Sequence, residues 1–95
     1  MHPPGSDSGQ FRLDQSAVSW RDVDGDIVAL DVASGAYFTV NGSGRVLWTA
    51  LVESASADDL TELLVSTFGI AEEQARVDAT AFLEDLSSRS LLEPA

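Results

Sequence analysis

The sequence has no cysteine, which excludes a disulfide framework, a thiolate zinc or iron–sulfur site and a cysteine nucleophile. Its single histidine, His2, stands beside two prolines, so no histidine-dependent triad can be built from the rest of the chain. No apolar run approaches the roughly 18 residues of a membrane span, and the first ten residues are polar rather than basic then apolar. Neither a span nor a secretory signal is expected. Lysine is absent as well: the cations are Arg12, Arg21, Arg45, Arg76 and Arg89, scattered among 16 acidic residues for a formal charge of -11. That field repels a phosphate backbone and argues against nucleic acid as a partner, while it favours a neutral or basic polypeptide. Acidity also serves solubility alone. A fold without covalent staples suits the cytoplasm.

What is present fits one small domain. With 95 residues, 44% of them apolar, the chain can bury a single core but has no room for a large internal active-site cavity. Residues 1–15, rich in Pro, Gly and Ser at the start, read as a mobile tail, with the later part of that stretch left open to joining the fold, and residues 16–93 read as the folded domain. Val18 and Trp20 alternate with Ser19 and Arg21, the pattern of a half-buried strand. Asp24-Gly25 supplies the positive-φ pair of a tight hairpin, and residues 26–32 form the returning strand. A second short turn at Ala33-Ser34-Gly35 leads into Ala36–Val40, a third strand rich in strand formers.

Helical spacing follows. Asn41 is the expected cap of a first helix reaching Glu53, with Leu47, Trp48, Ala50 and Leu51 as its apolar stripe. Ser56 with Asp58-Asp59 marks the start of a second, lined by Leu60, Leu63, Leu64 and Phe68 and stopped by Gly69. Glu72-Glu73 opens a third that runs to about Ser90, with Ala75, Ala79, Phe82, Leu83 and Leu86 facing the core. Leu91-Leu92 is expected to tuck back against that core. The expected fold class is α+β, with a three-stranded antiparallel sheet followed by three helices packed on one side.

No motif in this frame supports catalysis. Asp22, Asp24 and Asp26 resemble the start of a calcium loop, but Ile27 and Ala33 stand where that loop needs its glycine and its glutamate. Gly42-Ser43-Gly44 lies between a strand and a helix, yet Leu47 occupies the place of the third glycine of a dinucleotide fingerprint, and there is no Gly-Lys phosphate loop. No catalytic residue, metal site or cofactor is therefore assigned. A winged-helix DNA reader would need a basic recognition helix; the second helix has no cation and the third has only Arg76 and Arg89.

The third strand is the informative element. Two short turns in succession place the second strand in the middle of the sheet and leave the third at an edge. Exposed edges are normally guarded by lysine, proline, an inward charge or a bulge. The first strand carries Arg21 and Asp22, whereas Ala36, Tyr37, Phe38, Thr39 and Val40 carry no such guard. One reading is that a helix, the tail or a second copy of the chain covers this edge. The other is that an extended peptide adds to it as a fourth strand.

Residues 24–92 also resemble a known family, the PqqD-like proteins or RiPP precursor peptide recognition elements. The resemblance is carried by Asp24-Gly25, Leu30-Asp31, Ser34-Gly35 before Tyr37, Val40-Asn41 followed by Gly44, and Trp48 with Leu51. It continues through Asp59-Leu60, Phe68-Gly69-Ile70, Asp78 and the run from Phe82 to Leu86, then Leu91-Leu92. In place of glycines often found in the family after the first helix and near the end of the third, this chain has Glu53-Ser54 and Ser90. The resemblance implies a winged-helix-like fold and a non-catalytic role: binding the leader of a ribosomally made precursor peptide and presenting it to a modifying enzyme. A stand-alone chain of this size looks like the leader-binding proteins of lasso-peptide clusters, which work with a separate leader peptidase. The resemblance further implies a leader paired with Ala36–Val40 and lying against the third helix, where Glu73, Arg76, Val77, Thr80 and Glu84 form one stripe. A solvated helix face is the alternative for that stripe. The alternatives for the protein are a homodimer that uses the same edge and a DNA-binding regulator.

Overall fold

In the computed structural model, which describes residues 9–95, the elements run β1 (Phe11–Leu13), β2 (Val18–Val23), β3 (Asp26–Asp31), β4 (Ala36–Val40), α1 (Ser43–Glu53), α2 (Ala57–Phe68), α3 (Glu72–Ser88) and β5 (Leu92–Pro94). The main sheet has the order β2-β3-β4, antiparallel throughout. Its first hairpin turns on Asp24 and Gly25, both at positive φ (54° and 90°), the geometry that matches the twist of the flanking strands. Asp22 holds the turn by accepting a hydrogen bond from the Gly25 N–H at 3.0 Å.

Alternation puts Val18, Ile27 and Ala29 on the buried face of the sheet, with Trp20, Phe38 and Val40 packed beside them. The helices supply Leu47, Trp48, Leu51, Leu60, Leu64, Ala75, Ala79, Leu83 and Leu86 to the same core. Trp48, fully buried, is met edge-on by two rings, Trp20 at 6.2 Å and Phe38 at 5.9 Å between centroids. Such T-shaped contacts join sheet to helix with more geometric definition than aliphatic packing gives.

Helix ends follow local chemistry. A complete capping box opens α2: Ser56 Oγ accepts from the Asp59 N–H and Asp59 Oδ2 accepts from the Ser56 N–H, each at 3.0 Å. Gly69 ends the helix in the left-handed region, at φ 68°. The end of α3 is a Schellman turn, with the Leu91 N–H on the Leu86 carbonyl and the Ser90 N–H on the Ser87 carbonyl. Ser90 itself takes φ 59° there.

The structure corrects several expectations. The tail does not extend to residue 15: Phe11–Leu13 pairs antiparallel with Leu92–Pro94, and Leu13 is buried. Phe11 also exchanges two backbone hydrogen bonds with Ala55, and the Ala95 N–H reaches the Gln10 carbonyl. The folded unit thus begins before residue 16 and includes a second, two-stranded sheet. A three-residue strand is too short to show a period, and its partner lies at the far end of the described chain. The rest of the expected tail, residues 1–8, falls outside the described residues. Gly42, at φ 58°, caps α1 in place of Asn41 and makes no side-chain cap bond. Phe68 stands exposed at the end of α2, while Thr61, with its hydroxyl on the Ala57 carbonyl, is buried instead.

Candidate functional site

The direction of the backbone groups along β4 follows from the register. The Val32 N–H donates to the Ala17 carbonyl, so the pair next in register, Val18 with Asp31, is non-hydrogen-bonded, and Ser19–Leu30 and Arg21–Val28 are bonded pairs. Ile27, Ala29 and Asp31 therefore turn their polar groups the other way, to Val40, Phe38 and Ala36 of β4. Tyr37 and Thr39 are left with N–H and C=O directed at the outer edge. Among the described residues no strand pairs with that edge.

The two sheet edges differ. On β2, Asp22 is engaged by Arg45 of α1, and that guanidinium hydrogen bond is the main cause holding the Asp22 carboxyl below its ordinary pKa. β4 carries no charged side chain. On its outward face Tyr37 is 72% exposed and shares a shallow depression with Ser19, Arg21, Val28 and Leu30. Inward, Phe38 and Val40 pack on the core.

The helix flank beside β4 is marked by two contacts. A Cβ placed on Gly44 would come 2.9 Å from Val40 Cγ1 and 3.3 Å from the Phe82 ring, so α1, β4 and α3 close tightly at that glycine. Two turns further on, at the C-cap of α3, the Arg89 guanidinium lies 4.8 Å from the centroid of Phe38, with Asp85 Oδ1 3.4 Å from its Nε. Helix α3 thus runs opposite to β4, with Phe82 near Val40 and Arg89 near Phe38. Asp78 and Asp85 lie on the same flank, within about 60° of Phe82 at 100° per residue.

The structure does not bring the expected helix stripe to this place. Arg76 turns to α2, with Nη1 2.9 Å from Asp58 Oδ1 and Nη2 3.6 Å from Glu72 Oε2; those bonds, Asp58 first, raise its pKa. Glu73, Val77, Thr80 and Glu84 are exposed, and with Arg76 they lie about 120–180° around the helix from Phe82. The residues beside β4 are instead Phe82, Asp85 and Arg89. Sequence periodicity identifies the core stripe of α3 but not which of its flanks meets the sheet. The available signal was Phe82, a large aromatic at the border of that stripe.

Elsewhere, Asp58, Thr61, Glu62, Val65, Ser66, Glu72 and Arg76 line a cleft between α2 and α3. Among the described residues there is no group of three His, Cys, Asp or Glu side chains that could hold a metal ion, and no helix is long and apolar enough to cross a membrane. Arg12, Arg45, Arg76 and Arg89 each pair with a carboxylate, which leaves little free cationic surface for phosphates.

Comparison with known proteins bears on the same region. Two solved structures share the fold. One is TbiB1 in complex with the TbiA(beta) leader peptide, with a TM-score of 0.78, 23% identity, and coverage of 86% of this chain and 94% of that one. The other is lasso peptide synthetase B1 complexed with the leader peptide, with a TM-score of 0.76, 26% identity, and coverage of 88% and 98%. No curated protein sequence matches the chain. The profile of the family described as coenzyme PQQ synthesis protein D (PqqD) matches residues 26–92, a span that holds the second and third strands of the main sheet, all three helices and every residue of the edge and flank just described. With more than half of its length matched in this way, the chain belongs to the PqqD family.

Proposed function

We propose that this protein binds the leader segment of a ribosomally synthesised precursor peptide, takes it up as an added strand on β4, and presents it to a modifying enzyme or leader peptidase in the cytoplasm without catalysing a step itself. The observation that carries the reading is the outward direction of the N–H and C=O groups of Tyr37 and Thr39 on an edge with no charge to guard it. Both similar structures contain a leader peptide, which supports the choice of ligand. The absence of any base-held nucleophile from the sequence supports the non-catalytic part.

Thr39→Pro tests it. Because the Thr39 N–H points away from β3, proline removes a donor to the ligand but none from the ladder. Fluorescence anisotropy with a labelled leader peptide that the unsubstituted protein binds should show binding lost, with the circular dichroism spectrum unchanged. Unaltered affinity would overturn the reading. A dimer that persists on dilution, and that the same substitution dissociates, would assign the edge to a second copy of the chain instead.

A further inference from the structure

We infer that Arg89, whose guanidinium is held by Asp85 on one side, is a specificity-determining residue that reads the ligand side chain opposite Phe38 and selects a carboxylate there. The inference rests on strand addition to β4 and goes beyond it by naming the chemistry chosen. Tyr37 and Thr39 direct their polar groups to the incoming strand, so when that strand adds antiparallel, as β3 does on the other side, Phe38 faces it in a non-hydrogen-bonded pair, where Cα atoms approach to about 4.5 Å and side chains are closest. The ligand side chain in that pair projects on the same sheet face as Phe38, where the Arg89 guanidinium already covers the ring.

Arg89 has capacity to spare. Its carboxylate partner, Asp85, is reached through Nε at 3.4 Å, and the Arg89 side chain is 42% exposed. Among the described residues the two Nη groups make no hydrogen bond, and a guanidinium presents a fork suited to bidentate capture of a carboxylate. An incoming cation would meet the Arg89 charge first, and an apolar side chain would strip water from that charge without replacing it. Two positions along the added strand, the next side chain on this face lies opposite Val40 and beside Phe82, an apolar setting. Because the added strand runs antiparallel to β4, the residue opposite Val40 precedes the one opposite Phe38, and the selected pattern is an apolar residue followed two positions later by an acidic one. The remainder must be neutral or basic to approach a chain of charge -11.

The test is a displayed library of random dodecapeptides selected against the full chain and against Arg89→Glu. Peptides selected on the natural sequence should carry Asp or Glu two positions after an apolar residue and protect the Tyr37 and Thr39 amides from hydrogen exchange. Their affinity should fall about tenfold on Arg89→Gln and less on Arg89→Lys, as expected for loss of one charge-assisted contact. Asp85→Asn, which frees the guanidinium, should tighten them, and Arg89→Glu should select Lys or Arg at the same position. Peptides that protect both amides yet bind Arg89→Gln within twofold would overturn the role of Arg89 and leave strand addition standing. If no selected peptide protects those amides, strand addition itself fails.

Discussion

Phe38 is held between two partners of different kind: the Trp48 ring meets it edge-on at 5.9 Å from within the core, and the Arg89 guanidinium covers it at 4.8 Å from the solvent side. The ring therefore couples the proposed binding edge to the core. Phe38→Leu keeps apolar volume but loses both oriented contacts, each worth about 0.5–1.5 kcal/mol. Urea denaturation should show a loss of about 1–2 kcal/mol, with ligand affinity lowered as well because the edge is less firmly set.

Gly44 leaves space that a methyl group would fill too tightly. Alanine at this position would gain up to about 1 kcal/mol of helix propensity, but its Cβ would meet Val40 Cγ1 at 2.9 Å, and overpacking of this kind costs about 1–3 kcal/mol. Val40 is β-branched and has little freedom to withdraw. Gly44→Ala should lower the midpoint of thermal unfolding and weaken ligand binding by displacing the end of β4. A stabilised variant with normal affinity would contradict this account of the α1–β4 contact.

Asp59 sets an acid limit on stability. Its carboxyl is held below its ordinary pKa, chiefly by the Ser56 N–H and further by the Gln10 side chain. The folded state therefore binds fewer protons than the unfolded one around pH 4, and the stabilisation is complete above the unfolded pKa near ~4 and is lost as pH falls through the lower folded value. Asp59→Asn should flatten that part of the stability–pH curve measured by urea denaturation. Ser56→Ala, which removes the reciprocal cap, should cost about 1 kcal/mol at neutral pH.

Ser90 occupies a position that suits glycine. At φ 59° it closes the Schellman turn after α3, and a side chain in the left-handed region costs on the order of 1 kcal/mol. Ser90→Gly should raise stability by about 0.5–1 kcal/mol in chemical denaturation, offset in part by the greater freedom of glycine in the unfolded chain.

These effects also mark where the sequence was informative. Elements governed by local chemistry were legible: Asp24-Gly25 names its hairpin turn, Ser56 and Gly69 bracket α2, and Ala36–Val40 stands out as a strand without guards. Contacts between distant segments were not. Pairing of Phe11–Leu13 with Leu92–Pro94 leaves no local period, and α1 is capped by Gly42 at φ 58°, a positive-φ conformation that glycine adopts without strain, in place of Asn41. The strand half of the candidate site was readable for the same reason that the helix half was not. A strand has two faces and an edge fixed by alternation, whereas the flanks of a helix are assigned only when its neighbours are in place.

Within β4, Tyr37 and Thr39 together offer a borrowed strand about four main-chain hydrogen bonds, one given and one received at each residue. At a net ~0.5–1.5 kcal/mol apiece, these sum to roughly 2–6 kcal/mol, short of the ~8 kcal/mol of a micromolar complex. The ladder by itself is a weak, sequence-blind grip. Discrimination and dwell time must then come from the handful of side chains that flank it, and a cargo held in this way can be surrendered quickly once a downstream partner competes for it.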